Sequence, residues 1–237
     1  ELGINAKYGG RYRKLVNLSQ EDLKKLVTGI ILKRLGSEEK PDDVLGKIYL
    51  LSEEKDENPM KDAKEFSTLL NACGRMNKPS LGIGSCLGDV NSKEKAMNLL
   101  ADYKREIINS LNWFYKNKDK LISGDGYVMI NAENNVRDTL IGTLASILAN
   151  NNIFDQGTII LAMAYTIDGY IKLSVRCVGR SEVDLRKIIS RIVNEVGGIS
   201  GGHKQAAGAL VAQEKEVEFI SLAKKHLEGY IVRQKAL

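Results

Sequence analysis

With 237 residues, the chain is long enough for one large domain or two small ones with real cores. Hydrophobic residues make up 43% and charged residues 27%, which excludes a disordered or fibrous chain. No apolar stretch reaches the length of a membrane span, because Asp, Lys or Asn interrupts each one.

The net charge of +5 admits a polyanionic partner without requiring one. Residues 1–35 hold eight Lys or Arg against three Asp or Glu, so the basic excess sits at the N-terminal end. Solvated helix faces carry charge in the same way. No basic segment followed by an apolar one opens the chain, so no secretory signal is expected. Cys73, Cys86 and Cys177 are odd in number and match no zinc spacing. They read as free thiols, and the expected location is the cytoplasm. The chain opens on Glu1 rather than Met and reads as an excised piece, although processing or tag removal would look the same.

The opening stretch through Tyr8-Gly9-Gly10-Arg11-Tyr12-Arg13 reads as a loop. Ser19 then caps a helix on which Leu23, Leu26, Val27, Ile30 and Ile31 recur at helical spacing, with a stop at Gly36. Residues 37–43 form a polar loop, 46–51 a short strand and 52–59 another loop. A second helix is predicted over 62–72. The glycines of segment 75–89 predict tight turns or close backbone approach.

A long helix follows over 92–118, with Leu99, Leu100, Tyr103, Ile107, Leu111 and Phe114 on one face. Such a helix spans roughly 40 Å and suits a connector between two lobes.

Beyond Gly124-Asp125-Gly126 the pattern predicts a strand at 127–130, a helix at 136–149 and a nearly all-apolar central strand at 158–165. Asp168-Gly169 marks a hairpin turn into an alternating strand at 170–177. Ile171, Leu173 and Val175 share one face of that strand, and Lys172, Ser174 and Arg176 the other. A helix at 183–196, a glycine cluster, a strand at 207–211 and a last helix at 214–230 complete the order. The expected fold class is α/β, a mixed sheet with flanking helices, preceded by a mainly helical segment and a long connecting helix.

The segment Gly197-Gly198-Ile199-Ser200-Gly201-Gly202-His203-Lys204-Gln205-Ala206-Ala207-Gly208-Ala209 carries the most information. Glycines leave backbone N–H groups uncovered, and successive N–H groups can form an anion site. A histidine or lysine beside them adds a donor for phosphate. A glycine-rich helix exit before a tightly packed strand would give the same composition. His226, in Lys224-Lys225-His226, reads as a solvated basic helix end. Trp113-Phe114-Tyr115 reads either as a stacking platform for bases or as a cluster packing a helix end.

Gly201-Gly202-His203 followed by Ala206-Ala207-Gly208 resembles the GGHxxAAG signature of the DHH-associated domain, found in RecJ exonucleases, nano-RNases and related enzymes. Ser174-Val175-Arg176 is similar to the Ser-x-Arg element of RecJ-like proteins, and Asn71-Ala72-Cys73-Gly74-Arg75-Met76 resembles their Asn-Ala-x-Gly-Arg-Met segment. Ile130-Asn131-Ala132 and Asp138-Thr139-Leu140-Ile141-Gly142-Thr143 look most like the archaeal RecJ-like branch, the GINS-associated nuclease type.

The resemblance implies a closing part of a DHH lobe, or a helical accessory region, at 1–91. It implies a connecting helix at 92–119 and a DHH-associated nucleic-acid-binding domain at 120–237. It further implies phosphate contacts from Ser174, Arg176, Gly201, Gly202, His203, Ala206, Ala207, Gly208 and Arg75. Arg75 read on its own is equally a structural helix-cap donor.

The Asp-His-His motif that names the family is absent, and only two histidines are present. A two-metal phosphoesterase needs several carboxylates and histidines around its ions. No catalytic or metal-ligating residue is therefore assigned in this chain. The resemblance implies manganese or magnesium in an upstream DHH lobe, and a parent that hydrolyses single-stranded DNA or RNA. A non-catalytic scaffold bound to the GINS complex is the alternative. Alanyl-tRNA editing modules also carry a DHH-associated domain, but the Asn71–Met76 segment argues against one.

Overall fold

The computed structural model describes residues 2–13, 15–36, 41–44, 46–55, 58–151, 153–179 and 182–235. It divides into two compact units, Glu1–Ser67 and Thr68–Leu237. The long helix and the sheet both fall in the second unit, whereas the sequence reading places a boundary near residue 120.

In the first unit the opening stretch is not a loop. Lys7–Tyr8 (β1) pairs antiparallel with Arg11–Tyr12 (β2). Gly9 and Gly10 have φ of 58° and 77°, the positive values that a two-residue hairpin turn requires. Helix α1, Gln20–Arg34, starts where expected, with Ser19 Oγ accepting from the Asp22 N–H at 3.1 Å. None of its residues is buried. The predicted strand at 46–51 does not form: among the described residues a single bridge from Leu50 to Asp62 is its only strand pairing, and Ile48, Tyr49 and Leu50 are exposed. Of the two predicted loops, residues 37–40, 56 and 57 lie outside the described residues, and Pro41–Val44 forms a 3-10 turn.

Helix α2 spans Ala63–Arg75, and α3 spans Pro79–Cys86. Segment 75–89 is thus largely helical and not a series of turns. Its glycines serve close approach instead: a Cβ on Gly82 would stand 3.4 Å from the Cys73 Cβ, and one on Gly84 would overlap Ser92. The long helix α4, Val90–Lys116, is capped by Asp89, whose side chain accepts from the Ser92 N–H at 2.7 Å. Phe114 is fully buried and meets Tyr115 and Phe154 edge-on, while Lys118 covers the Tyr115 ring. The Trp113-Phe114-Tyr115 cluster thus packs a helix end around Phe114.

The sheet that follows has six strands: β3 Ile122–Gly124, β4 Tyr127–Asn131, β5 Ile159–Tyr165, β6 Tyr170–Cys177, β7 Ile199–His203 and β8 Ala206–Ala212. Their spatial order is β3-β4-β5-β6-β8-β7. Only β4 and β5 run parallel; the other neighbours are antiparallel. This is the mixed α/β fold expected from the sequence, with β3 and β7 added as edge strands. Helices α6, Leu185–Val196, and α7, Glu216–Lys235, cover the face that carries Leu161, Ile171, Leu173, Val175 and Val211. Helix α5, Asp138–Asn150, packs on β5 and β6 from the other side. No helix among the described residues is long and apolar enough to cross a membrane.

Candidate functional site

Strand alternation sets up the site. On β6 the odd residues 171, 173 and 175 enter the core, which turns Lys172, Ser174 and Arg176 toward the α5 side. Register then aligns Ser174 with Ala162 on β5 and Gly208 on β8, and Gly208 with Gly201 on β7. Arg176 lies opposite Ile160 and Ala206, and Ala206 opposite His203.

A pocket of about 260 Å³ opens where α5 lies over β6. Arg75, Ser174, Arg176, Gly202, Ala206, Ala207 and Gly208 all line it. The structure thus brings together seven of the nine residues singled out from the sequence. Gly201 and His203 lie outside the lining, on the exposed edge strand β7. Within the glycine-rich segment, Ile199–His203 is therefore a paired strand, and Lys204-Gln205 is the turn that joins it to β8.

Gly202 has φ of 127°, and a Cβ there would stand 2.5 Å from the Ala206 carbonyl oxygen. Its glycine is demanded by the backbone itself.

The Arg176 guanidinium spends part of its capacity inside the protein. Nε donates to Ser146 Oγ at 2.9 Å, and Nη1 to the carbonyls of Val175 at 2.8 Å and Ala207 at 3.5 Å. Of its five N–H donors, the pair on Nη2 remains. Nη2 and Ser174 Oγ both lie close to Gly142 of α5, at 3.8 and 3.4 Å from where a Cβ there would stand, and all three residues line the pocket.

Arg75 enters from the end of α2, with Nη1 donating to the Thr139 carbonyl at 2.7 Å. Burial, and secondarily the Arg75 cation, pulls the Arg176 pKa below its ordinary value. Among the described residues neither arginine has a carboxylate partner. Lys172 adds a third cation, held loosely by Asp138 at 4.0 Å. The pocket is a cationic cleft lined by guanidinium, ammonium and hydroxyl donors. Its chemistry suits a phosphate oxygen.

Lys172, Asp138, Thr139 and Gly142 line the pocket but were not singled out as site residues. The alternation Lys172-Ser174-Arg176 held the signal for the first, and a glycine inside an apolar helix the signal for the last.

His226 sits elsewhere, paired with Glu195 at 2.7 Å. All three cysteines are free thiols. Among the described residues no group of three His, Cys, Asp or Glu could hold a metal ion, so the residues present do not fit a two-metal centre.

Residues 125–229, which contain the sheet from β4 onward and the described pocket lining apart from Arg75, match the DHHA1 domain family. Over 213 residues the chain is 30% identical to an uncharacterized protein of Methanocaldococcus jannaschii, covering 86% of this chain and 42% of that one. A manganese-bound exonuclease RecJ superposes with a TM-score of 0.54 at 15% identity, covering 90% of this chain and 50% of its own. RecJ of Thermus thermophilus in complex with Mn2+ gives 0.52 at 16% identity, covering 72% and 24%. At these identities the structures show a shared fold alone. The chain spans half or less of the length of each of these relatives.

Proposed function

We propose that this chain grips the phosphate backbone of a single strand for a RecJ-like exonuclease. The observation that carries the reading is the Nη2 pair of Arg176, left by the bonds of Nε and Nη1, in a pocket that Ser174, Arg75 and Lys172 also line, with no carboxylate paired to Arg176 among the described residues. A half-buried cation without a counter-ion is disfavoured, and a phosphate oxygen beside it offsets that. Single-stranded DNA and RNA share this phosphate chemistry. Cleavage, and the manganese or magnesium it would use, belongs in this reading to an upstream DHH lobe of a cytoplasmic parent protein. The chain incubated with labelled single strands and manganese should leave them intact; dose-dependent degradation surviving stringent purification would move the hydrolytic site into it.

The direct test is Arg176→Ala. Ser146 Oγ also donates to the Gly142 carbonyl at 2.8 Å, so its bonding does not collapse with the arginine. Affinity for a single-stranded oligonucleotide, read by fluorescence anisotropy at one salt concentration, should weaken by roughly 1–3 kcal/mol. The salt slope should fall by about 0.7. Unchanged affinity in the folded variant overturns the clamp.

A second reading, a non-catalytic scaffold that binds the GINS complex, draws on a different surface. Ile83, Leu87 and Val90 are 63%, 81% and 78% exposed in a row where α3 meets α4. Such a row suits a protein partner. Binding of purified GINS that survives Leu87→Glu unchanged would count against it.

A further inference from the structure

Arg176 walls two cavities. The one beyond its Nε side, about 330 Å³, is lined by Ser146, Ala149 and Asn150 of α5, by Cys177 and Val183, and by Gln205 in the β7–β8 turn. It shares Arg176 and Ala206 with the phosphate pocket. We infer that this second cavity takes one nucleobase of the strand whose phosphate lies against Arg176 Nη2. The inference rests on the phosphate reading of Arg176.

The chemistry of the lining selects a neutral ring over a second phosphate. Among the described residues Arg176 is the one charged member of this lining. Its Nε is committed to Ser146, and its Nη1 to two carbonyls. An anion would find no donor of that guanidinium on this side. Ser146 Oγ is likewise committed, accepting from Arg176 and donating to Gly142. Asn150 and Gln205 remain, both exposed, and among the described residues neither side chain makes a hydrogen bond.

Each amide offers both a donor and an acceptor, which is what the edge of a base requires. Ala149 and Val183, 8% and 3% exposed, supply apolar wall for the faces of the ring. The volume lies within the range of about 300–1,000 Å³ typical of small-ligand sites. Either amide end can face the base by rotation, so the site accepts every base with little discrimination.

The test uses the 237-residue chain and two probes: a single-stranded oligonucleotide and an abasic sugar–phosphate oligomer of the same length. The wild type should bind the base-bearing strand about tenfold tighter than the abasic one. Asn150→Ala combined with Gln205→Ala should abolish that preference and leave abasic affinity in place. Both positions are exposed, so the variant is expected to fold; its melting temperature confirms it. No preference in the wild type, or a preference that survives the double substitution, overturns the base site. Arg176→Ala separates this failure from that of the phosphate reading. Weaker abasic binding with no effect of the double variant leaves the clamp standing and removes the base site. Unchanged abasic binding in Arg176→Ala removes both.

Discussion

Arg75 and Thr139, 64 residues apart in sequence, bind each other twice: Arg75 Nη1 donates to the Thr139 carbonyl and Thr139 Oγ1 donates to the Arg75 carbonyl, each at 2.7 Å. The pair ties the C-terminus of α2 to the first turn of α5. It also fixes the angle at which Arg75 enters the pocket. Arg75 is thus at once a tie between two helices and part of the pocket lining.

Thr139→Val removes one of these two bonds and keeps the side-chain volume. It should cost about 1 kcal/mol of stability and weaken single-strand binding only slightly. Arg75→Ala should cost similar stability and weaken binding more, because it also removes a cation from the pocket. A double-mutant cycle on both quantities checks this. Equal losses of affinity in the two single variants would make Arg75 a structural strut alone.

Gly202 and Gly201 should respond in opposite ways. A Cβ on Gly202 runs into the Ala206 carbonyl, and its φ of 127° is strained for any other residue. Gly202→Ala should lower stability by roughly 2 kcal/mol or more. A Cβ on Gly201 meets nothing within 4 Å, so Gly201→Ala should melt near the wild type and bind nearly as well. Thermal melts of both variants decide it; equal destabilisation would mean that β7 is not held as described.

Lys172 should contribute through charge alone. Its ion pair with Asp138 is long, at 4.0 Å, and its side chain is 44% exposed. Lys172→Ala is expected to leave the fold intact, weaken single-strand binding by ~0.5–1 kcal/mol and shallow the salt slope. A salt titration identical to the wild type would remove Lys172 from the interface.

Tyr165 gives the fold an alkaline limit. Its hydroxyl donates to Glu216 Oε2 at 2.5 Å, and Asn131 Nδ2 donates to Glu216 Oε1 at 2.5 Å. The hydrogen bond to the carboxylate, then burial, then the Glu216 charge push the phenol from 10 up to about 12. The folded state keeps this proton longer than the unfolded chain. The stabilisation is full below pH 10 and is lost as pH rises from 10 through 12. Chemical denaturation of wild type and Tyr165→Phe across that window should show the gap between them closing. A constant gap would mean that the bond does not hold the proton.

Much of the architecture is written in short-range pattern. Ser19 placing a helix start, Asp168-Gly169 placing a hairpin, and the apolar run at 158–165 becoming the buried strand β5 all depend on a few adjacent residues. Alternation alone put Lys172, Ser174 and Arg176 on one face. Partners distant in the chain decided the rest. The glycine-rich segment became strand β7 because β8 pairs with it, while residues 46–51, with comparable strand character, found only one bridge. Gly82 and Gly84 lie within α3 where Cys73 and Ser92 approach closely, a proximity that only the folded chain creates. The pocket exists because α5 packs over Ser174 and Arg176 of β6, and because Arg75 reaches Thr139. Caps and alternation act within a turn or two of the chain, so a sequence carries them openly. Strand pairing and donor convergence are set by which distant backbone comes near, and only the packed tertiary structure determines that.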